Sequence, residues 1–135
     1  MEEEGASWRG HINSYRDLRV WQDAMTLAEA AYTMTRSFPK EEMFGMVSQI
    51  RRAAVSIAAN IAEGHGREST PYFVNFLSIA QGSLKELETH LLLSSRVGLV
   101  NQTTCDPMLS KCDTLGKRLR ALIRTLQRKT AGATA

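Results

Sequence analysis

The chain has no apolar run near the 18 or more residues that a membrane-spanning helix needs, so no membrane span is expected. Its N-terminus, MEEEGASWRGHINS, is acidic and has no hydrophobic stretch of the kind a signal peptide carries. There are two cysteines, Cys105 and Cys112, seven residues apart and with no histidine partner. Seven residues of helix span about 10 Å, too far for a bridge within one helix, and the spacing fits no zinc site. Two reduced thiols in a cytoplasmic protein are therefore expected. Histidine is scarce as well: His11, His65 and His90 fall in a tail, a loop and a helix, without an HExxH-type partner. Glu86 and Glu88 are two apart and point to different faces of a helix, and with Glu63 they form no paired-carboxylate site. No GxSxG, P-loop or GxGxxG motif is present. No cofactor, no metal and no enzymatic activity are expected.

Strand-like alternation is missing too, and what fills the chain is helical periodicity. The organising stretch is 41–69, where Met43, Val47, Ile50, Ala54, Ile57 and Ile61 recur in steps of four and three. That seam belongs to a helix packed lengthwise on others, and Ala53, Ala54, Ala58, Ala59 and Ala62 let its partners come close. A first helix is predicted from about Asp17 to Ser37, capped by Ser14 or Asp17, with the seam Leu18, Trp21, Met25, Ala28, Tyr32 and Thr35. Pro39 disfavours the helical conformation at Phe38 and ends it. The second helix begins between Pro39 and Gly45 and ends at Gly64, a residue suited to a left-handed cap. Thr70 and Pro71 open a third helix that closes near Gly98, with the seam Phe73, Leu77, Ala80, Leu84, Leu87 and Leu91. A fourth covers roughly Gln102 to Lys129, starting at Asn101 or at Asp106-Pro107, with the seam Met108, Cys112, Leu115, Leu119, Leu122 and Leu126.

Four long amphipathic segments with short links predict an all-α fold, an antiparallel up-down-up-down four-helix bundle in one domain over residues 15–129. Residues 1–14 read as a flexible tail and 130–135 as a frayed end. Trp8 in that tail is either a ring laid on the bundle or a partner anchor. Apolar residues such as Val20, Leu27, Met34, Phe44, Ile79 and Leu92 lie off the seams. One chain cannot bury them all, which predicts self-association.

The charge is unevenly spread. The formal net charge is only +3, but seven basic residues against one acid lie from Met108 onwards. Lys117, Arg120, Arg124 and Arg128, spaced three, four and four, form one basic stripe on the last helix, either a solvated face or a contact for phosphates. Arg51 and Arg52 are a second, weaker candidate set for contact with nucleic acid or a partner. Arg52, Ser56, Asn60 and Glu63 form a polar stripe on the second helix, read first as hydrogen bonding that fixes register and second as a ligand contact.

These residues also carry a resemblance. Tyr15-Arg16-Asp17-Leu18, Phe38-Pro39-Lys40-Glu41-Glu42, the run from Gln49 to Ile57 and Asn60-Ile61-Ala62-Glu63-Gly64 resemble the signature of the bacterial 23S rRNA intervening-sequence, or S23-type, proteins. Ala58 departs from it, since the family often has proline there, and Cys105-Asp106-Pro107 replaces a Glu-rich turn. The resemblance implies an antiparallel four-helix bundle that assembles as a homopentamer. It extends to accessory proteins of diversity-generating retroelements, which work with a reverse transcriptase and nucleic acid. The expected partners are therefore further copies of the chain and RNA, DNA or a nucleic-acid-handling protein. The alternative is a protein-interaction scaffold that binds no nucleic acid.

Overall fold

The computed structural model describes residues 13–134, all of whose regular structure is helical. Trp8, His11 and most of the predicted tail lie outside the described residues. Four long helices follow one another: α1 Arg19–Thr35, α2 Met46–Gly66, α3 Thr70–Arg96 and α4 Gln102–Thr134. Short 3-10 turns, Tyr15–Asp17 and Lys40–Glu42, precede α1 and α2. Each helix packs on the next, and α4 returns to pack on α1.

The helix ends have local causes. Ser14 Oγ accepts from Arg16 N (3.1 Å), while the Asp17 carboxylate accepts from Asn13 N and Ser14 N at 2.9 and 3.2 Å. This reciprocal cap makes a 3-10 turn that ends at the fully buried Leu18, so α1 starts two residues after Asp17, the predicted position. The second helix starts later than predicted as well. Pro39 opens the separate turn Lys40–Glu42, and Gly45 breaks the path, so α2 begins at Met46, whose N–H donates to Glu42 Oε1 at 3.2 Å. Gly98, near which the third helix was expected to close, ends α3 in a left-handed conformation at φ +82°, with Leu99 N donating to Ser94 O at 2.9 Å. Asn101 is the start of α4: its Oδ1 accepts from Thr104 N at 2.8 Å, and Pro107 sits inside the helix. The helix continues through Thr134, past the Lys129 boundary read from sequence.

Gly64 is a correction. It lies within α2 and is buried, and the helix runs on to Gly66. The left-handed residue of this link is Glu68, at φ +59°. Gly64 is small because α3 crosses it closely, against Phe73 and Phe76.

The seams of α3 and α4 are buried throughout as predicted, and so is that of α2 except for Met43, which is 48% exposed. The seam of α1 is different. Its buried residues are Val20, Ala24, Leu27, Ala28, Ala31, Met34 and Thr35. Trp21 is half-buried, and Met25 and Tyr32 are 38% and 40% exposed. Two stripes, one residue apart, both satisfy helical spacing on α1. Of the predicted seam, Leu18, Ala28 and Thr35 are buried, while the large Trp21, Met25 and Tyr32 face outward and the alanine-rich stripe beside them allows α1 to sit close on its neighbours. Val20, Leu27, Met34 and Ile123 thus belong to the core and not to surplus surface.

Candidate functional site

The stripe on α4 divides in the structure. Lys117 Nζ is 3.1 Å from Asp113 Oδ2 one turn earlier, with both side chains well exposed. Arg118, beside the stripe, faces the other way and binds Asp23 of α1 through Nη1 and Oδ2. Arg120, Arg124 and Arg128 are exposed and have no ion pair or hydrogen bond among the described residues. Steps of four put these three guanidinium groups in one row about 6 Å apart along the axis.

Arg51 and Arg52 are not brought to that row, since α2 is not one of the helices that pack extensively on α4. Arg51 is half-buried in the fold. Its Nε donates to Thr35 Oγ1 at 2.9 Å, and its guanidinium lies 4.4 Å from the centre of the Tyr32 ring. Arg52 is exposed, at the edge of an open cleft of about 720 Å³ with Gln49, Ser56 and Glu86.

The polar stripe of α2 makes contacts within the chain. Ser56 Oγ and Ser83 Oγ of α3 are 2.8 Å apart, and Asn60 Nδ2 donates to Ser56 O and Oγ at 2.8 and 3.0 Å. Glu63 pairs with Arg67 at 3.0 Å, and Arg67 in turn lies 5.3 Å from the Phe76 ring centre. Ser56 thus ties α2 to α3 through Ser83, Asn60 braces Ser56 within α2, and among the described residues only Arg52 of the four extends outward without a partner.

Burial sets the titration of three groups. Desolvation pushes the Cys112 thiol up to about 12, with the nearby Glu88 carboxylate acting in the same direction. Cys105 is also raised, first by burial and then by Asp106; its Sγ donates to Leu91 O at 3.4 Å. His65, which lies on α2 and not in a loop, is lowered because burial outweighs the opposing effect of Asp17. Neither thiol is poised as a nucleophile under these conditions. Among the described residues no group of three histidine, cysteine or acidic side chains is placed to hold a metal ion.

The sequence reading missed an apolar groove between α1 and α2. It has a volume of about 610 Å³. Trp21, Met25 and Tyr32 form one wall, Val55 the other, and Ala58, Ala59 and Ala62 the floor. Trp21, Met25 and Tyr32 carry the signal in the sequence, but their helical spacing reads there as a core seam.

The model of the family described as 23S rRNA-intervening sequence protein matches residues 16–121. The chain belongs to that family. A similar solved structure is a crystal structure of a protein with unknown function from the S23 ribosomal protein family, from Bacteroides thetaiotaomicron VPI-5482. It is 26% identical, with a TM-score of 0.73, and the match covers 78% of this chain and 95% of that one. Among curated proteins none matches. The family match includes Arg51, Arg52, the polar stripe and Arg120, and stops before Arg124 and Arg128.

Proposed function

We propose that this intervening-sequence protein is a non-catalytic, cytoplasmic, self-associating antiparallel four-helix bundle that holds the phosphate backbone of nucleic acid along α4. One observation carries the reading: Arg120, Arg124 and Arg128 form an exposed row with no carboxylate partner among the described residues, while the neighbouring Arg118 is neutralised by Asp23. An unpaired guanidinium row suits phosphate, which Arg can grip with two donors. No aromatic side chain stands in the row, so binding is expected to follow charge and shape and not base sequence.

Contacts between helix ends support the antiparallel course. Thr35 at the end of α1 meets Arg51 near the start of α2, and Leu91 near the end of α3 meets Cys105 near the start of α4. Self-association is supported by the apolar surface still uncovered, including Phe44 at 97% exposure and Val97 at 60%. It also multiplies the row: several copies holding one strand bind far more tightly than one. The family name, with its reference to 23S rRNA, makes RNA the first ligand to try.

The test is fluorescence anisotropy with a labelled RNA duplex at two salt concentrations. Three phosphate contacts per chain would weaken binding by roughly 40-fold between about 50 and 200 mM salt, and more when several copies engage. Replacing Arg120, Arg124 and Arg128 with Gln is expected to abolish most of that salt dependence. Absence of binding at the lower salt overturns the reading and leaves a scaffold for protein partners.

A further inference from the structure

We propose that the N-terminal segment lies in the α1–α2 groove of its own chain, with Trp8 over the alanine floor and Glu2 and Glu4 beside Arg36 and Arg52. The contact is made within one chain and needs neither nucleic acid nor a second copy.

The groove is apolar at one end and basic at the other. Tyr15 and Trp21 stand at its mouth, ring edge to ring face at 5.3 Å, and Ala58, Ala59 and Ala62 form the floor. Tyr32 and Val55 line both this groove and the cleft of Gln49, Arg52 and Glu86, so the two are one continuous depression. At its far end Arg36, Arg51 and Arg52 stand against the acid Glu86. Arg36 and Arg52 are exposed and have no hydrogen bond or ion pair among the described residues. A peptide with an aromatic anchor in its middle and acids at its end matches that order.

Residues 1–12, MEEEGASWRGHI, have this composition and join the described part at the mouth of the groove. Asn13 and Ser14 donate to Asp17, in the turn that carries Tyr15 and packs on both α1 and α2. An extended chain covers about 3.3–3.6 Å per residue, so Trp8, five residues before Asn13, reaches about 17 Å, and Glu4, nine before, about 30 Å. On α1, Ala28 lies about 10 Å beyond Trp21, and Arg36 about 22 Å beyond it. Trp8 therefore reaches the middle of the groove and Glu4 its basic end.

Side-chain alternation agrees with this placement. In an extended strand Gly10, Trp8, Ala6, Glu4 and Glu2 share one side: small, aromatic, small, then two acids. Arg9, on the other side, falls near Glu29 on the rim of the groove. Docked in this way, the segment covers the apolar groove and neutralises Arg36 and Arg52. The row on α4 stays open, since α4 contributes no residue to the groove.

The experiment uses the full chain, whose two tryptophans are Trp8 and Trp21. Trp21→Phe leaves Trp8 as the sole indole, and circular dichroism checks that each variant keeps its helix content. Trp8 is expected to emit at shorter wavelength than in the urea-unfolded chain and to be quenched several-fold more weakly by acrylamide. Ala59→Arg, which fills the floor, should return both readings to their unfolded values. Arg36→Glu and Glu4→Arg should each move them part of the way, and the double reversal should restore them. A Trp8 as accessible as in the unfolded chain overturns the proposal, and so does protection that survives Ala59→Arg. A double reversal no better than either single one overturns the placement of the acids. A cysteine pair, Ala6→Cys with Val55→Cys, identifies whose groove is filled, because Cys105 and Cys112 are buried and stay out of the reaction. On oxidation the link should form within one 15.0 kDa chain on a non-reducing denaturing gel. A link between two chains, or no link at all, overturns docking in the chain's own groove.

Discussion

A Cβ added to Gly64 of α2 would lie 2.5 Å from the Cβ of Phe76 on α3, and 3.2 Å from Cδ1 of Phe73. Neither Cβ can swing away, so the two helices would have to part. Overpacking of this kind destabilises by about 1–3 kcal/mol. The better helix propensity of alanine returns up to about 1 kcal/mol of that. Gly64→Ala is therefore expected to lower stability by about 1–2 kcal/mol in urea unfolding. Gly82→Ala is the control. It lies on α3 with nothing within 4 Å of an added Cβ, and should raise stability by about 0.5–1 kcal/mol. Equal effects at both sites would remove the close-crossing account of Gly64.

Asp23 and Arg118 join α1 to α4, with side chains 29% and 31% exposed. Partial burial puts this pair above ordinary surface pairs, such as the well exposed Lys117–Asp113. A double-mutant cycle with Asp23→Ala and Arg118→Ala should give a coupling of about 1 kcal/mol. The same cycle on Lys117 and Asp113 should give at most about 0.5 kcal/mol, as for i,i+4 pairs on a helix surface. The Arg118 variants should also leave RNA affinity nearly unchanged, since Asp23 already neutralises that guanidinium.

How far the sequence could be read depended on side-chain size. On α4 one stripe holds most of the large apolar residues from Met108 to Leu126 and is buried, and on α3 the stripe from Phe73 to Leu91 is buried although Tyr72, Ile79, Leu92 and Leu93 stand exposed beside it. On α1 the large residues Trp21, Met25 and Tyr32 mark the groove, and small residues such as Ala24 and Ala31 mark the core. Periodicity cannot choose between two stripes that share it. The choice depends on how closely the neighbouring helix approaches, which is a tertiary quantity. Gly64 failed for a related reason: a glycine near a helix end can be a cap or a crossing point, and only the position of Phe76 decides. The row of Arg120, Arg124 and Arg128 was legible, because three cations on one polar face need no tertiary information. That Arg118 would turn to Asp23 was not, since the two are 95 residues apart.

Arg51 and Arg52 are adjacent but should respond in opposite ways. Arg51 holds Thr35 Oγ1 and covers the Tyr32 ring, and Thr35 also donates to Ala31 O at 2.7 Å. Thr35→Val removes the acceptor under a half-buried guanidinium and should cost about 1–3 kcal/mol of stability. Arg52→Gln, at an exposed position without a partner, should change stability by no more than about 0.5 kcal/mol. If Arg52 contributes to the nucleic-acid surface, its loss will lower RNA affinity at constant stability. Unfolding curves and anisotropy on the same two variants separate the roles.

Cys112 makes the fold sensitive to alkali. Burial raises its thiol to about 12, from 9.0 in the unfolded chain. Between those two values the folded state keeps a proton that the unfolded state has lost, so the unfolded state gains relative stability as the pH rises. The contribution is fully present below about pH 9 and disappears as the pH approaches 12. Its steepest slope is about 1.4 kcal/mol per pH unit, the value for one proton. Other groups titrate in the same range, so the informative quantity is the stability difference between the wild type and Cys112→Ala. That difference should shrink from pH 9 upward. In parallel, a thiol-specific reagent at pH 8 should modify Cys112 only after unfolding. Rapid labelling of the folded chain, or a difference constant from pH 8 to 11, would show that this thiol is not held protonated by its surroundings.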